Sequence, residues 1–162
     1  MFTNGRVVLG AYQSKRGTIS ISGIGGSRDG DETFIETALR ETVEELFDVK
    51  DVPKRLLNTL EKSLRPTSIR GKDVGGWGLY VLVIYTFEDL ETILKCAASS
   101  LNTPLYAKFP RTVSALLLDR NPAKSPHTEI TYLTLIPVGE QYATTKIHPD
   151  LIEDMAHSSK KS

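Results

Sequence analysis

The chain has a single cysteine, Cys96, so no disulfide can close within it. That suits a reducing compartment, and a cytoplasmic setting is the expectation. Long apolar runs are also missing. The longest, around Leu79 to Phe87, is far short of the ~20 residues a membrane-spanning helix needs. Met1-Phe2-Thr3-Asn4 does not open a signal peptide. Neither sign of charge is in excess: 20 Lys+Arg stand against 20 Asp+Glu. Whole-chain charge therefore gives no argument for nucleic acid or membrane, and any electrostatic steering must be local. The three histidines, His127, His148 and His157, are not spaced as a metal site. No Walker A sequence and no Gly-x-Ser-x-Gly elbow occurs, which excludes a P-loop and a serine-hydrolase nucleophile of that type. Repeats, low-complexity tracts and linkers are lacking too. One domain is expected over residues 1–157, with 158–162 as a disordered tail.

What is present is concentrated between Gly26 and Asp48. Arg40-Glu41-Thr42-Val43-Glu44-Glu45 packs three carboxylates into five positions. On a helix, at roughly 100° per residue, Glu41, Glu44 and Glu45 share about a 100° arc. Ile35, Leu39, Thr42, Val43 and Leu46 take the other side, so one face is buried and the other gathers negative charge. Like charges so close call for a bound cation or a raised pKa. Hard oxygen ligands suit Mg²⁺ or Mn²⁺ better than zinc. The preceding Ser22-Gly23-Ile24-Gly25-Gly26 lets backbone approach a ligand closely. A glycine loop followed by a carboxylate-faced helix is what metal-assisted attack on a phosphate chain requires.

This stretch resembles the Nudix box, GX5EX7REUXEEXGU with U aliphatic. Gly26, Glu32, Arg40, Glu41, Glu44 and Glu45 all fall in register. Thr42 replaces the aliphatic U, Phe47 the late glycine and Asp48 the last aliphatic, departures that touch packing and the helix exit. The box covers 23 of the 162 residues. The resemblance implies an α/β domain of the Nudix fold, a mixed β-sheet sandwiched between α-helices. It implies Mg²⁺-dependent (or Mn²⁺-dependent) hydrolysis of a nucleoside diphosphate linked to a group X. Glu41, Glu44 and Glu45 with the Gly26 carbonyl would hold the metal, and Glu44 or Glu45 would take the water proton. Arg40 would orient a box glutamate, and Glu32 would stabilise the loop and helix. Gly23-Ile24-Gly25-Gly26 resembles the GFGG form of members that clean nucleotide pools, where the family commonly has Pro-Gly-Gly.

The rest of the chain reads in order. Arg6–Tyr12 and Thr18–Ser22 read as strands joined by a polar turn, Gln13–Gly17, whose Lys15 and Arg16 are candidate phosphate contacts. The box helix is expected from Asp31 to Phe47, capped by Asp31 or Thr33. Pro53–Leu64 reads as a second helix on its leucine spacing. Arg65–Gly76 reads as a loop whose Arg70 and Lys72 could hold phosphate oxygens. Trp77 either stacks on a base or enters the core strand Trp77–Phe87. Glu88–Ser100 reads as a helix in which Cys96 is structural. In Asn102–Arg111, Lys108 and Arg111 are candidate substrate contacts or solvated side chains. Thr112–Leu118 is helix or strand, and Asp119–Pro126 a turn. Glu129–Val138 reads as a strand and Pro149–His157 as a last helix. Many Nudix proteins carry a late carboxylate just before such a strand; Glu129 matches best, with Asp119 behind it.

The identity of X stays open from the residues. Nucleotide-pool triphosphates, capped RNA ends, nucleotide sugars, dinucleoside polyphosphates and diphosphoinositol phosphates all use the same core in the family. Cleavage of capped RNA is the runner-up activity, since the basic segments allow a polyanion, although no separate RNA-binding module is seen. A catalytically silent Nudix-fold ligand-binding protein is the reading of another class, and a purely structural partner role a third. Homodimers are common in the family, but no segment here demands one.

Overall fold

The computed structural model describes residues 1–15, 17–73, 79–139 and 146–158. In chain order the elements are β1 (Val7–Lys15), β2 (Thr18–Ser22), α1 (Phe34–Phe47), α2 (Lys54–Ser63), β3 (Ser68–Asp73), β4 (Leu79–Ile84), α3 (Phe87–Ala98), α4 (Val113–Leu118), β5 (Ile130–Pro137) and α5 (Pro149–Ser158). The chain is thus mixed α/β. The strands do not form the single mixed sheet expected from the sequence. They form two antiparallel sheets, β2-β1-β5 and β3-β4. Short bridges join them at the start of the chain: Phe2 pairs in parallel with Tyr85 and Thr3 antiparallel with Val8. Ring stacking of Phe2 on Tyr85, centroids 5.8 Å apart, reinforces that seam.

The three-stranded sheet is covered on both faces. Leu9 and Ala11 of β1, with Ile130 and Leu133 of β5, join the main core with Leu39, Val43 and Leu46 of α1 and Leu90, Ile93 and Leu94 of α3. Val8 and Ile136 turn to the other face, against Leu151 and Met155 of α5. Period-two alternation produces this division along β1, and the register shift between Ala11 and Gln13 brings Ile130 of β5 to the same side as Leu133. Gly10 belongs on the α5 side because Ile21 and Ile136 already occupy the space; a Cβ there would lie 2.7 and 2.8 Å from their side chains.

Several boundaries differ from the sequence reading. β1 runs on through Lys15, so the polar turn Gln13–Gly17 is mostly strand, paired with β2 from Ala11 to Lys15. α1 begins at Phe34 rather than Asp31, because Thr33 supplies the cap: its hydroxyl accepts from the Glu36 N–H, and the Glu36 carboxylate accepts from the Thr33 N–H. Arg65–Gly76 is not a loop throughout. Ser68–Asp73 is β3, paired residue for residue with β4. Thr112–Leu118 resolves as helix, with the Thr112 hydroxyl capping α4. No helix among the described residues is long and apolar enough to cross a membrane.

The departures from the box pattern are absorbed at the exit of α1. Phe47 is fully buried, its ring 4.6 Å from Phe109 and 6.3 Å from Tyr106. The helix therefore continues one residue further, and Asp48 takes the left-handed turn, φ 53°. Aspartate tolerates that conformation better than most side chains. Its carboxylate also accepts from the Ser125 hydroxyl, tying the exit to the segment before β5.

Candidate metal and phosphate site on the box helix

α1 is built so that one face cannot leave the core. Leu39, Val43, Leu46 and Phe47 are at most 1% exposed. Burying them fixes the rotation of the helix, and the rotation aims Arg40, Glu41, Glu44 and Glu45 away from the core. Arg40 is the hub. Its Nε donates to Glu32 Oε2 at 2.8 Å and its Nη2 to Glu32 Oε1 at 3.0 Å, a two-pronged pair. Its Nη1 donates to both Glu41 Oε1 and Glu44 Oε2, each at 3.0 Å, and its Nη2 also reaches the Ser27 carbonyl at 2.9 Å. The guanidinium, pushed further up in pKa chiefly by Glu32, stays charged throughout. Glu32 additionally accepts from the Asp29 N–H and the Thr37 hydroxyl. Arg40 and these donors hold its carboxyl down at about 2. Glu32 thus pins the glycine loop to the helix.

Gly26 faces Glu41 so closely that a Cβ added there would overlap the Glu41 carboxyl group. Glycine is required by that approach, not by an unusual φ. Gly26→Ala should therefore displace Glu41 and weaken Mn²⁺ binding about tenfold. The fold should be nearly unchanged, as calorimetric titration beside a thermal melt would show.

Glu45 differs from its neighbours. It is pushed up to about 8, first by burial and then by the charges of Glu41, Glu129 and Glu44, against a hydrogen bond from the Gly25 N–H. One of its oxygens, Oε2, is buried without a hydrogen-bond partner. Burial likewise raises Glu44, although Arg40 pulls the other way. Glu129 is exposed just before β5, near enough for its charge to act on Glu45.

Among the described residues no three Asp, Glu, His or Cys side chains converge as a ready-made ligand set. The reason is Arg40, whose Nη1 spans the two carboxylates, Glu41 and Glu44, that would have to turn inward. The donor chemistry nevertheless fits a hard divalent cation. Oxygens of Glu41, Glu44 and Glu45 crowd one helix face, the Gly26 backbone lies beside Glu41, and an orphaned buried carboxylate oxygen is left on Glu45.

A cleft of about 710 Å³ adjoins the glycine loop, lined by Gly23 to Arg28, by Thr37, Ala38 and Thr42 of α1, and by β4 and α5; Glu41, Glu44 and Glu45 are not among its lining residues. Thr42 at the aliphatic position of the box is buried, and its hydroxyl donates to the Ala38 carbonyl at 2.6 Å, so it adds no free polar group there. Arg70 is not in this cleft. It lines a second cavity, about 310 Å³, with Tyr80, Asp150, Glu153, Asp154 and His157. Lys72 lies on β3 and Lys15 ends β1, while Arg16 and Trp77 fall outside the described residues. Lys108 and Arg111 are exposed on either side of the segment that packs Phe109 on Phe47. Asp119, the second candidate for the late carboxylate, caps α4 and acts electrostatically on Tyr106, apart from the α1 carboxylates.

Sequence reasoning did not find Arg120. It is 4% exposed, and its guanidinium donates to the carbonyls of Thr131 (2.6 Å), Ile130 (3.1 Å), Glu45 (3.4 Å) and Leu46, and to the Tyr106 hydroxyl (3.1 Å). It thereby closes the C-terminal end of α1, where carbonyls lack helical partners and the dipole favours a cation. The same side chain fixes the start of β5, next to Glu129. Arg120→Met should lower stability by about 3 kcal/mol, since several buried carbonyls lose their donor. A shift of the urea midpoint at constant slope would register it.

Comparison of the chain with family models, with curated proteins and with solved structures returns no match.

Proposed function

We propose that the protein is a metal-dependent pyrophosphohydrolase of the Nudix type, acting on a nucleoside diphosphate linked to a further group. The observation that carries this reading is the junction of the glycine loop with α1, where Arg40 braces Glu41 and Glu44, Gly26 lies against the Glu41 carboxyl group and Glu45 keeps a buried, partnerless oxygen. A bound Mg²⁺ or Mn²⁺ would neutralise the pyrophosphate and make a bound water acidic. Glu41, Glu44 and Glu45, with the Gly26 backbone, are the residues that would hold it. The chain's own contribution is positional. Burial of the opposite face holds α1 in rotation, Glu32 and Arg40 lock the loop to it, and Arg120 fixes its far end. Glu45 is suited to hold and release a proton near neutrality, with Glu44 beside it and Glu129 facing it.

One observation favours a second reading, a ligand-binding protein without turnover: Arg40 already neutralises Glu41 and Glu44. Mg²⁺-dependent product release separates the two. The panel holds ordinary and oxidised nucleoside triphosphates, capped RNA, nucleotide sugars, dinucleoside polyphosphates and diphosphoinositol phosphates, with Glu44→Gln run alongside. Turnover of one class, lost in the variant, supports the enzyme and names the group. Binding of metal and ligands with no turnover of any class supports the silent protein.

A further inference from the structure

Arg120 does more than close a helix. A guanidinium carries five N–H groups in a flat, rigid fork. In Arg120 all five are used inside the fold: two donate to carbonyls of α1, two to carbonyls of β5 and one to the Tyr106 hydroxyl. The side chain is buried, and no donor is left over for a phosphate. Its part in the site is therefore not to touch substrate.

The contacts are matched across two elements. Nη2 alone bridges the Glu45 carbonyl, at 3.4 Å, and the Ile130 carbonyl, at 3.1 Å. The other two nitrogens repeat the match one residue further along each element, Nη1 on Leu46 and Nε on Thr131. Because the fork is rigid, these bonds fix the offset of the last turn of α1 against the start of β5. Two further ties secure the exit of α1: Thr103 donates to the Phe47 carbonyl and Ser125 to the Asp48 carboxylate. Neither includes a residue of β5.

Both ends of this offset carry a carboxylate of the site. Glu45 is held by its own carbonyl, and Glu129 by the residue that follows it. The charge of Glu129 acts on Glu45. Like charges drive their carriers apart unless the backbones beneath them are fixed. Glu129 is exposed, so burial does not hold it there. The buried fork of Arg120 does, by joining the two backbones.

We propose that Arg120 is a positioning residue of the site: by bridging the Glu45 and Ile130 carbonyls it sets α1 against β5 and keeps Glu129 within working distance of Glu45. This rests on the pyrophosphohydrolase reading, in which both carboxylates serve the reaction.

The test is a double-mutant comparison. Arg120→Lys keeps a positive charge but cannot bond both elements through one flat fork. Tyr106→Phe removes one of the five acceptors and leaves the bridge in place; it is the milder variant, and it decides if Arg120→Lys does not fold. Each is made with Glu129 and with Glu129→Gln, and thermal melts accompany all of them. On whichever compound turns over, kcat should fall about thirtyfold in Arg120→Lys and about threefold in Tyr106→Phe, with KM nearly unchanged. In the Glu129→Gln background both falls should shrink severalfold, because the group being positioned is gone. Equal falls in the two backgrounds mean a structural role alone and overturn the proposal; so does a wild-type kcat in folded Arg120→Lys. If no compound is hydrolysed, the pyrophosphohydrolase reading fails, and Mn²⁺ affinity measured by electron paramagnetic resonance carries the same comparison. Glu129→Gln should then weaken Mn²⁺ binding severalfold beside Arg120 and hardly at all beside Arg120→Lys. An equal effect in both, or none in either, overturns the proposal.

Discussion

Glu45→Gln is expected to lower Mg²⁺-dependent pyrophosphate hydrolysis by about a thousandfold, the scale of losing a positioned acid–base group together with a metal ligand. The same variant should be more stable than wild type in metal-free buffer above neutrality. The sign follows from linkage. The Glu45 carboxyl has an ordinary value of 4.5 and is raised to about 8 in the fold. Between these values the folded chain holds a proton that the unfolded chain releases. Stability is therefore fully present below about 4.5 and falls as pH rises through about 8. The amide that Glu45→Gln introduces cannot ionise, so the variant lacks that slope. Melting temperatures of both proteins from mildly acidic to mildly basic pH, with chelator present, would show wild type declining on this account and the variant not. A variant that loses activity but keeps the wild-type slope would remove Glu45 from the explanation.

Arg40→Ala is expected to cost about 2–3 kcal/mol, because it strands partly buried carboxylates that share one guanidinium. Arg40 is 12% exposed at its side chain and Glu32 15%, and no other cation is paired with Glu32 among the described residues. The pH dependence is opposite in sign to that of Glu45. Glu32 is held down at about 2 against an ordinary 4.5, so its contribution is present above about 4.5 and is lost as pH falls towards 2. That acid limb should flatten in Arg40→Ala. The double variant Arg40→Met/Glu32→Leu should regain much of the stability, since an apolar pair of similar bulk avoids the desolvation penalty. It should not regain activity, because Glu41 and Glu44 remain unbraced. Urea unfolding of the three variants, with turnover measured on each, separates the two roles.

Much of this site is legible in the sequence because its determinants are local. The spacing of Glu32, Arg40, Glu41, Glu44 and Glu45 is a helix-face relation, and a helix of this length with Leu39, Val43 and Leu46 opposite can orient in one way only. The basic segment around Arg70 reads wrongly as a loop for the converse reason. Among the described residues β3 pairs with β4 alone, and Ile69 is 53% exposed, so the strand's one large apolar residue does not mark a buried face. The two separate sheets are hidden because strand pairing depends on contacts remote in sequence, such as Phe2 with Tyr85. Arg120 has the sequence surroundings of a solvated turn residue. Only the meeting of α1's last turn with β5 makes it a buried five-acceptor clasp, and nothing in its neighbours along the chain signals that. Asp154 and Tyr80 are likewise 74 residues apart, and their pairing is a product of the fold.

The central claim is that the α1 carboxylates form a metal centre and not a salt-bridge cluster satisfied by Arg40. Electron paramagnetic resonance of a Mn²⁺ titration tests it directly, in wild type, Glu41→Gln, Glu44→Gln and the exposed neighbour Asp29→Asn. A metal centre predicts protein-bound Mn²⁺ in wild type and Asp29→Asn, weakened about tenfold or more in the two box variants. Binding that is absent from wild type, or equal in all four proteins, would contradict it.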